Sequence, residues 1–156
     1  MFKPLLAEPA EVITFAVYAS VKIDGIRACM LNGRLVSRRL KPIPNTYIRR
    51  ALEAVPSLNN CDGELLTYTD GKMDDFNTVQ SKVMSEAGKP EFKWLMFDHF
   101  EHPDAPYSER RQRIPYNACP DTKVVNQIDI SNQVELDQIE AQAIAAGWEG
   151  LMVRSP

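Results

Sequence analysis

Asn32-Gly33 stands between two short apolar-rich runs, Ala28 to Leu31 and Arg34 to Ser37. This dipeptide most readily supplies the two consecutive positive φ angles of a type I′ turn, so an antiparallel hairpin is predicted here before anything else is known. An apolar run from Phe15 to Val21 leads into it. A fold built around this feature needs further strands to cover the hairpin, and at 156 residues the chain has room for about one domain.

The rest of the chain supplies them. A second strand is predicted from Gly63 to Tyr68, ended by Thr69-Asp70-Gly71, and a buried one from Phe92 to Phe97, where five of six residues are apolar. A strand is also expected over Lys123 to Gln127 and a last short one over Glu149 to Val153. Between them fall helices. Asn45 can cap Thr46 to Glu53, with Tyr47, Ile48, Ala51 and Leu52 on one face, and Asn77 opens a helix through Met84 that Ala87-Gly88-Lys89-Pro90 stops. Tyr107 to Arg113 is expected as an exposed helix. Ser131 starts another, with Val134, Ile139, Ala143 and Ala146 at helical spacing and Gly147 at its end. Hairpin-linked strands broken by single helices predict an α+β domain with antiparallel-rich sheets and flanking helices.

Composition excludes several classes. With 44% hydrophobic and 25% charged residues the chain matches neither a disordered nor a collagen-like sequence. No window approaches the ~18 apolar residues of a membrane span, and the N-terminus lacks a signal-peptide pattern, so a cytoplasmic protein without membrane contact is expected. Cys29, Cys61 and Cys119 are far apart and form no C-x-x-C pair, which points to reduced, structurally minor thiols. The net charge of −3 is unevenly spread, since residues 1 to 60 carry nine Lys or Arg against four acids. Arg34, Arg38, Arg39, Lys41, Arg49 and Arg50 lie in a stretch without any acid. Such a block is either a solvated face or a surface for nucleic-acid phosphates.

Chemistry concentrates in a few places. Lys22-Ile23-Asp24-Gly25-Ile26-Arg27 sits where the apolar run meets the hairpin, placing a nucleophilic amine, a carboxylate and a fixed cation around a glycine that lets backbone approach closely. A lysine at a strand end is by itself an ordinary surface charge. Asp62-Gly63-Glu64 and Glu149-Gly150, the latter followed by Arg154, each enter a strand. Singly they are turn chemistry; together they could hold a divalent cation on carboxylate oxygens. Phe97-Asp98 ends the buried strand, and Phe97 taken alone is a core residue.

The order of these pieces carries more than any one of them. Lys22 to Arg27, Ser37-Arg38, Asp62-Gly63-Glu64, Phe97-Asp98 and Glu149-Gly150-Leu151-Met152-Val153-Arg154 resemble the successive nucleotidyltransferase motifs of ATP-dependent DNA ligases, most of all the small viral type. Lys3-Pro4-Leu5-Leu6-Ala7 and Lys41-Pro42-Ile43 are similar to that group as well. The resemblance implies a nucleotidyltransferase (ATP-grasp-like) adenylation domain over residues 1–156. It implies an enzyme of DNA replication, repair and recombination, in a bacterial or virus-infected cell, that uses ATP with magnesium or manganese and acts as a monomer on nicked duplex DNA. Lys22 would attack the α-phosphate of ATP and carry AMP, which passes to the 5′-phosphate of the nick before the 3′-hydroxyl displaces it. Asp24, Glu64 and Glu149 would serve the metal, directly or through water, with Glu64 also possible at the ribose. Phe97 would stack on adenine. Arg27 and Arg38 would hold phosphate, Arg38 especially the 5′-phosphate of the nick.

The same resemblance leads one to expect, past the Glu149 motif, a segment with two lysines and an oligonucleotide-binding-fold domain, before which residue 156 falls. RNA ligases and mRNA capping guanylyltransferases share the Lys-x-Asp-Gly nucleophile. A non-catalytic DNA-binding remnant is the reading from a different class, resting on the basic block.

Overall fold

The computed structural model describes residues 12–156, so Lys3 to Ala7 lies outside the described residues. Two sheets form. The smaller has β1 (Val17–Val21) at its centre, flanked antiparallel by β8 (Ile128–Ile130) and β9 (Leu151–Arg154). The larger runs β3-β2-β4-β6-β7, from β3 (Arg34–Ser37) through β2 (Ile26–Leu31), β4 (Cys61–Thr69) and β6 (Glu91–His99) to β7 (Thr122–Val124). Every pairing in it is antiparallel except β6 with β7. The α+β, antiparallel-rich architecture is therefore the one expected.

The hairpin closes as Asn32-Gly33 dictates. Their φ angles are +52° and +76°, and Leu31 faces Arg34 across the turn. Asp70-Gly71 repeats the device at +51° and +77°, turning β4 back into β5 (Lys72–Met73), a pairing the sequence reading did not include. Of the strand expected over Lys123 to Gln127 only the start is extended, in β7, and β8 beyond it is a separate strand that was not expected. They belong to different sheets.

Helix α1 (Thr46–Glu53) has the expected bounds, and the Asn45 side chain accepts a hydrogen bond from Ile48 N at 2.9 Å. Ile48 and Leu52 are buried, while Tyr47 is exposed. Helix α2 (Phe76–Val83) starts earlier than expected because Asp75, not Asn77, caps it by accepting from Thr78 N. Helix α3 (Tyr107–Gln112) is not the exposed helix anticipated, since Tyr107 is buried and Arg110 reaches inward. Helix α4 (Gln133–Ala145) is capped by Asn132; Gly147, at φ +97°, and Trp148 bond back to Ile144 and Ala143 in a Schellman ending. It buries Leu136 and Ala143, whereas Val134 faces outward.

Two apolar cores result. The larger fills one face of the big sheet with Ala28, Met30, Leu65, Trp94 and Met96 under Ile48, Leu52, Val79 and Val83. The smaller packs Val17, Ala19, Ile130 and Leu136 around the three-stranded sheet. Residues 22–25 are the bridge from one sheet to the other.

Candidate active site

Period-two alternation decides which side chains meet. Arg27 faces Glu64 and Cys29 faces Asp62 across β2 and β4, so all four lie on the sheet face opposite the one that Ala28 and Met30 bury. Arg27 grips Asp62 with two hydrogen bonds, Nε to Oδ1 at 3.1 Å and Nη2 to Oδ2 at 2.5 Å. Asp62 is buried, and the Cys29 thiol donates to its Oδ1 at 3.3 Å. Burial beside that carboxylate pushes the Cys29 thiol far up, and burial does the same for Cys61, to about 12. The cysteines are free thiols, as expected.

Both glycines of this site are fixed by close approach. A Cβ on Gly25 would stand 2.2 Å from the Leu65 carbonyl oxygen, and one on Gly63 would stand 2.5 Å from that of Leu95 and 2.8 Å from Trp94 Nε1. Gly25 N donates to Glu64 Oε2 at 3.3 Å. Burial raises the Glu64 carboxyl to about 7, opposed by the Gly25 hydrogen bond and by Arg27.

Lys22 follows β1 directly. Its backbone N–H bonds to the Gly150 carbonyl at 2.9 Å, and its Nζ stands 3.6 Å from Glu149 Oε2 with both side chains more than half exposed. Lys22 and Glu149 are thus brought together, as are Arg27, Glu64 and the backbone of Gly25. Asp24 and Arg38 are exposed, and neither forms an ion pair among the described residues. Arg38 lies in the turn that Leu40 N and Ser37 O close after β3.

Among the described residues no three His, Cys, Asp or Glu side chains converge to hold a metal ion. Asp24, Glu64 and Glu149 do not form such a group with one another here. Glu149 is turned to Lys22 and Glu64 to Gly25, and Asp24 points to solvent.

Phe97 belongs to neither apolar core. Asp62 pairs with Asp98 but Gly63 pairs with Met96, so Phe97 is the extra residue of a β-bulge, a feature that re-aims a side chain. The Arg27 guanidinium lies 5.5 Å from the centre of its ring and that of Arg154 lies 4.7 Å from it. Helix α3 holds this strand end: Tyr107 donates to the Phe97 carbonyl, and Arg110 binds both oxygens of Asp98, at 3.0 and 3.2 Å. Asp62, Asp98 and Arg154 stand in the motifs named above but received no individual role there, Asp62 counting only with Glu64 as acidic chemistry. Tyr107 and Arg110 had no local signal.

Residues 4–156 match the family model described as the ATP dependent DNA ligase domain. The chain belongs to that family. Among solved structures it is similar to the DNA ligase-adenylate of Chlorella virus, with 30% identity and a TM-score of 0.83 over 99% of this chain and 59% of that one. A second structure of the same viral ligase-adenylate gives 28% and 0.82, over 100% of this chain and 61% of the other. The ATP-dependent DNA ligase of bacteriophage T7 in complex with ATP shares the fold at 19% identity and a TM-score of 0.65, covering 90% of this chain and 57% of that one. This ligase-family chain thus spans about three fifths of the length of these relatives. No curated protein matched it. None of its described helices is long and apolar enough to cross a membrane.

Proposed function

We propose that this chain is the nucleotide-charging domain of an ATP-dependent DNA ligase, with Lys22 as its nucleophile. The observation that carries the reading is the position of Lys22. It leaves β1 tied by its backbone to Gly150, with Glu149 3.6 Å from its amine, in the short bridge that also sets Gly25 on Glu64 and leads into β2, where Arg27 binds Asp62. The amine, freed of a proton, attacks the α-phosphorus of ATP. The N–P bond forms, the bond to the bridging oxygen breaks, and pyrophosphate leaves. Glu149 orients the amine beforehand. Arg27, immobilised by Asp62, is a preorganised cation for phosphate charge, and such a group loses little on reaction because it does not reorganise. Phe97 offers the ring on which adenine stacks, with Glu64 close enough to Arg27 on the same face to meet the ribose.

The AMP then moves to the 5′-phosphate of a nicked duplex and the 3′-hydroxyl displaces it. Arg38, exposed and without an ion pair among the described residues, receives the 5′-phosphate. The rest of the basic block follows the duplex backbone.

Intact-mass measurement after incubation with ATP and magnesium is the test. One adenylyl group should appear, and be lost in Lys22→Ala. A label that survives that change rules Lys22 out. A guanylyl group from GTP in its place would mark a capping enzyme, and nick binding with neither label would mark a non-catalytic remnant.

A further inference from the structure

Phe97 is covered from the far sheet. Arg154, the last residue of β9, crosses from the three-stranded sheet and places its guanidinium 4.7 Å from the Phe97 ring centre and 5.3 Å from that of Tyr107. Tyr107 in turn meets the Tyr18 ring edge-on at 5.8 Å, and Arg111 covers Tyr18 at 4.7 Å. The two cations near Phe97 are held very differently. Arg27 is fixed by two hydrogen bonds to a buried carboxylate, whereas Arg154 has no ion pair among the described residues and lies over two rings.

A purine stacked on an aromatic lies in van der Waals contact with the ring, in the layer that a guanidinium 4.7 Å from the centroid already fills. The two cannot share one face. We propose that the purine uses the Phe97 face that Arg154 covers and that Arg154 is a positioning residue competing for it, so that adenine docking on the site assigned above requires the Arg154 guanidinium to leave the ring. This inference rests on Phe97 being the purine platform. Because only the fraction of molecules with the ring uncovered can bind, Arg154 lowers apparent purine affinity by that fraction. It also couples the sheets: a base on Phe97 releases the tie between β9, which follows Glu149, and the end of β6.

Adenosine, which has no phosphate to attract an arginine, is the probe. Calorimetric titration should show adenosine binding about 3- to 30-fold tighter to Arg154→Ala than to the unaltered chain, the range that one cation–π contact sets. Arg154→Met keeps apolar cover without charge, so it serves if the alanine variant folds poorly, and it should also bind more tightly. Equal or weaker binding in a folded Arg154 variant overturns the proposal. In the unaltered chain the Arg154 Nε–H resonance should carry a ring-current shift that saturating adenosine removes, a change that a merely structural role would not produce; an unmoved resonance likewise overturns it. Phe97→Ala separates the two readings. If adenosine binds with equal affinity to Phe97→Ala, the platform itself is misassigned; if Phe97→Ala abolishes binding while Arg154 variants leave it unaltered, only the competition fails.

Discussion

Glu64 titrates close to neutrality. Burial lifts its carboxyl from 4.5 to about 7, so in that interval the folded chain holds a proton that the unfolded chain has released. Stability from this group is full below about 4.5 and falls as pH rises toward 7. Glu64→Gln carries no titrating proton and should flatten that part of a melting-temperature profile between pH 5 and 8. A profile of unchanged slope in the variant would assign the pH dependence elsewhere. Phe97 gives a second test at this scale. Base–aromatic stacking is worth about 1–3 kcal/mol, so Phe97→Ala should weaken ATP use roughly tenfold to a hundredfold while Phe97→Tyr stays mild. Because Phe97 lies outside both cores, the alanine variant should remain folded, and a collapse of thermal stability with unchanged nucleotide affinity would instead make it a packing residue.

Elements are joined near the site by a few buried polar links. Helix α3 is short, yet it anchors the bulged end of β6 through Tyr107 on the Phe97 carbonyl and Arg110 on Asp98. Both members of the Arg110–Asp98 pair are largely covered, with side chains 14% and 12% exposed. Arg110→Ala leaves the Asp98 carboxylate without its cation and should cost about 3 kcal/mol in denaturant unfolding. The exposed, singly contacting pair of Arg113 and Glu101 should cost less than about 1 kcal/mol when broken the same way. Similar losses for both variants would mean that α3 is not the anchor. Helix α2 is tied on in the same manner, by Lys82 on Asp74, which accepts from Thr67 and Thr69 as well. Burial opposes ionisation of Asp74, but these donors outweigh it and hold the carboxyl at about 2.

Over the whole chain the charge is divided along the sequence. Arg34, Arg38, Arg39, Lys41 and Arg50 are exposed, while Arg49 bonds to the Ile43 carbonyl and approaches Glu53. These five exposed cations form no ion pair among the described residues and lie in one stretch of a chain whose net charge is −3, so the duplex contact proposed for them is open to a salt test. Binding to a nicked duplex should weaken steeply with salt, and replacing Arg38 and Arg39 together by alanine should lower the slope of log K against log salt by about 2. An unaltered slope would remove this stretch from the interface.

The sequence by itself determined what local physics fixes. Asn32-Gly33 set the hairpin, since those two residues tolerate positive φ. Asn45 set the start of α1, because a side-chain oxygen can satisfy an otherwise orphaned N–H. The ordered motifs from Lys22 to Arg154 placed the chain in its family. Local signals also misled where two candidates stood side by side, as when Asp75 rather than Asn77 took the cap of α2. The pairing of distant segments was decided only by the tertiary structure. That β1 pairs with β8 and β9 in its own sheet, setting Ser20 opposite Met152, depends on register across the length of the chain, which no window contains. Alternation with Phe92, Trp94 and Met96 keeps Phe97 out of the core, but the bulge at Phe97 exists only in the mismatch between β4 and β6. Arg154 reaches Phe97 only because β9 pairs with β1, which the four-residue bridge starting with Lys22 joins to the larger sheet.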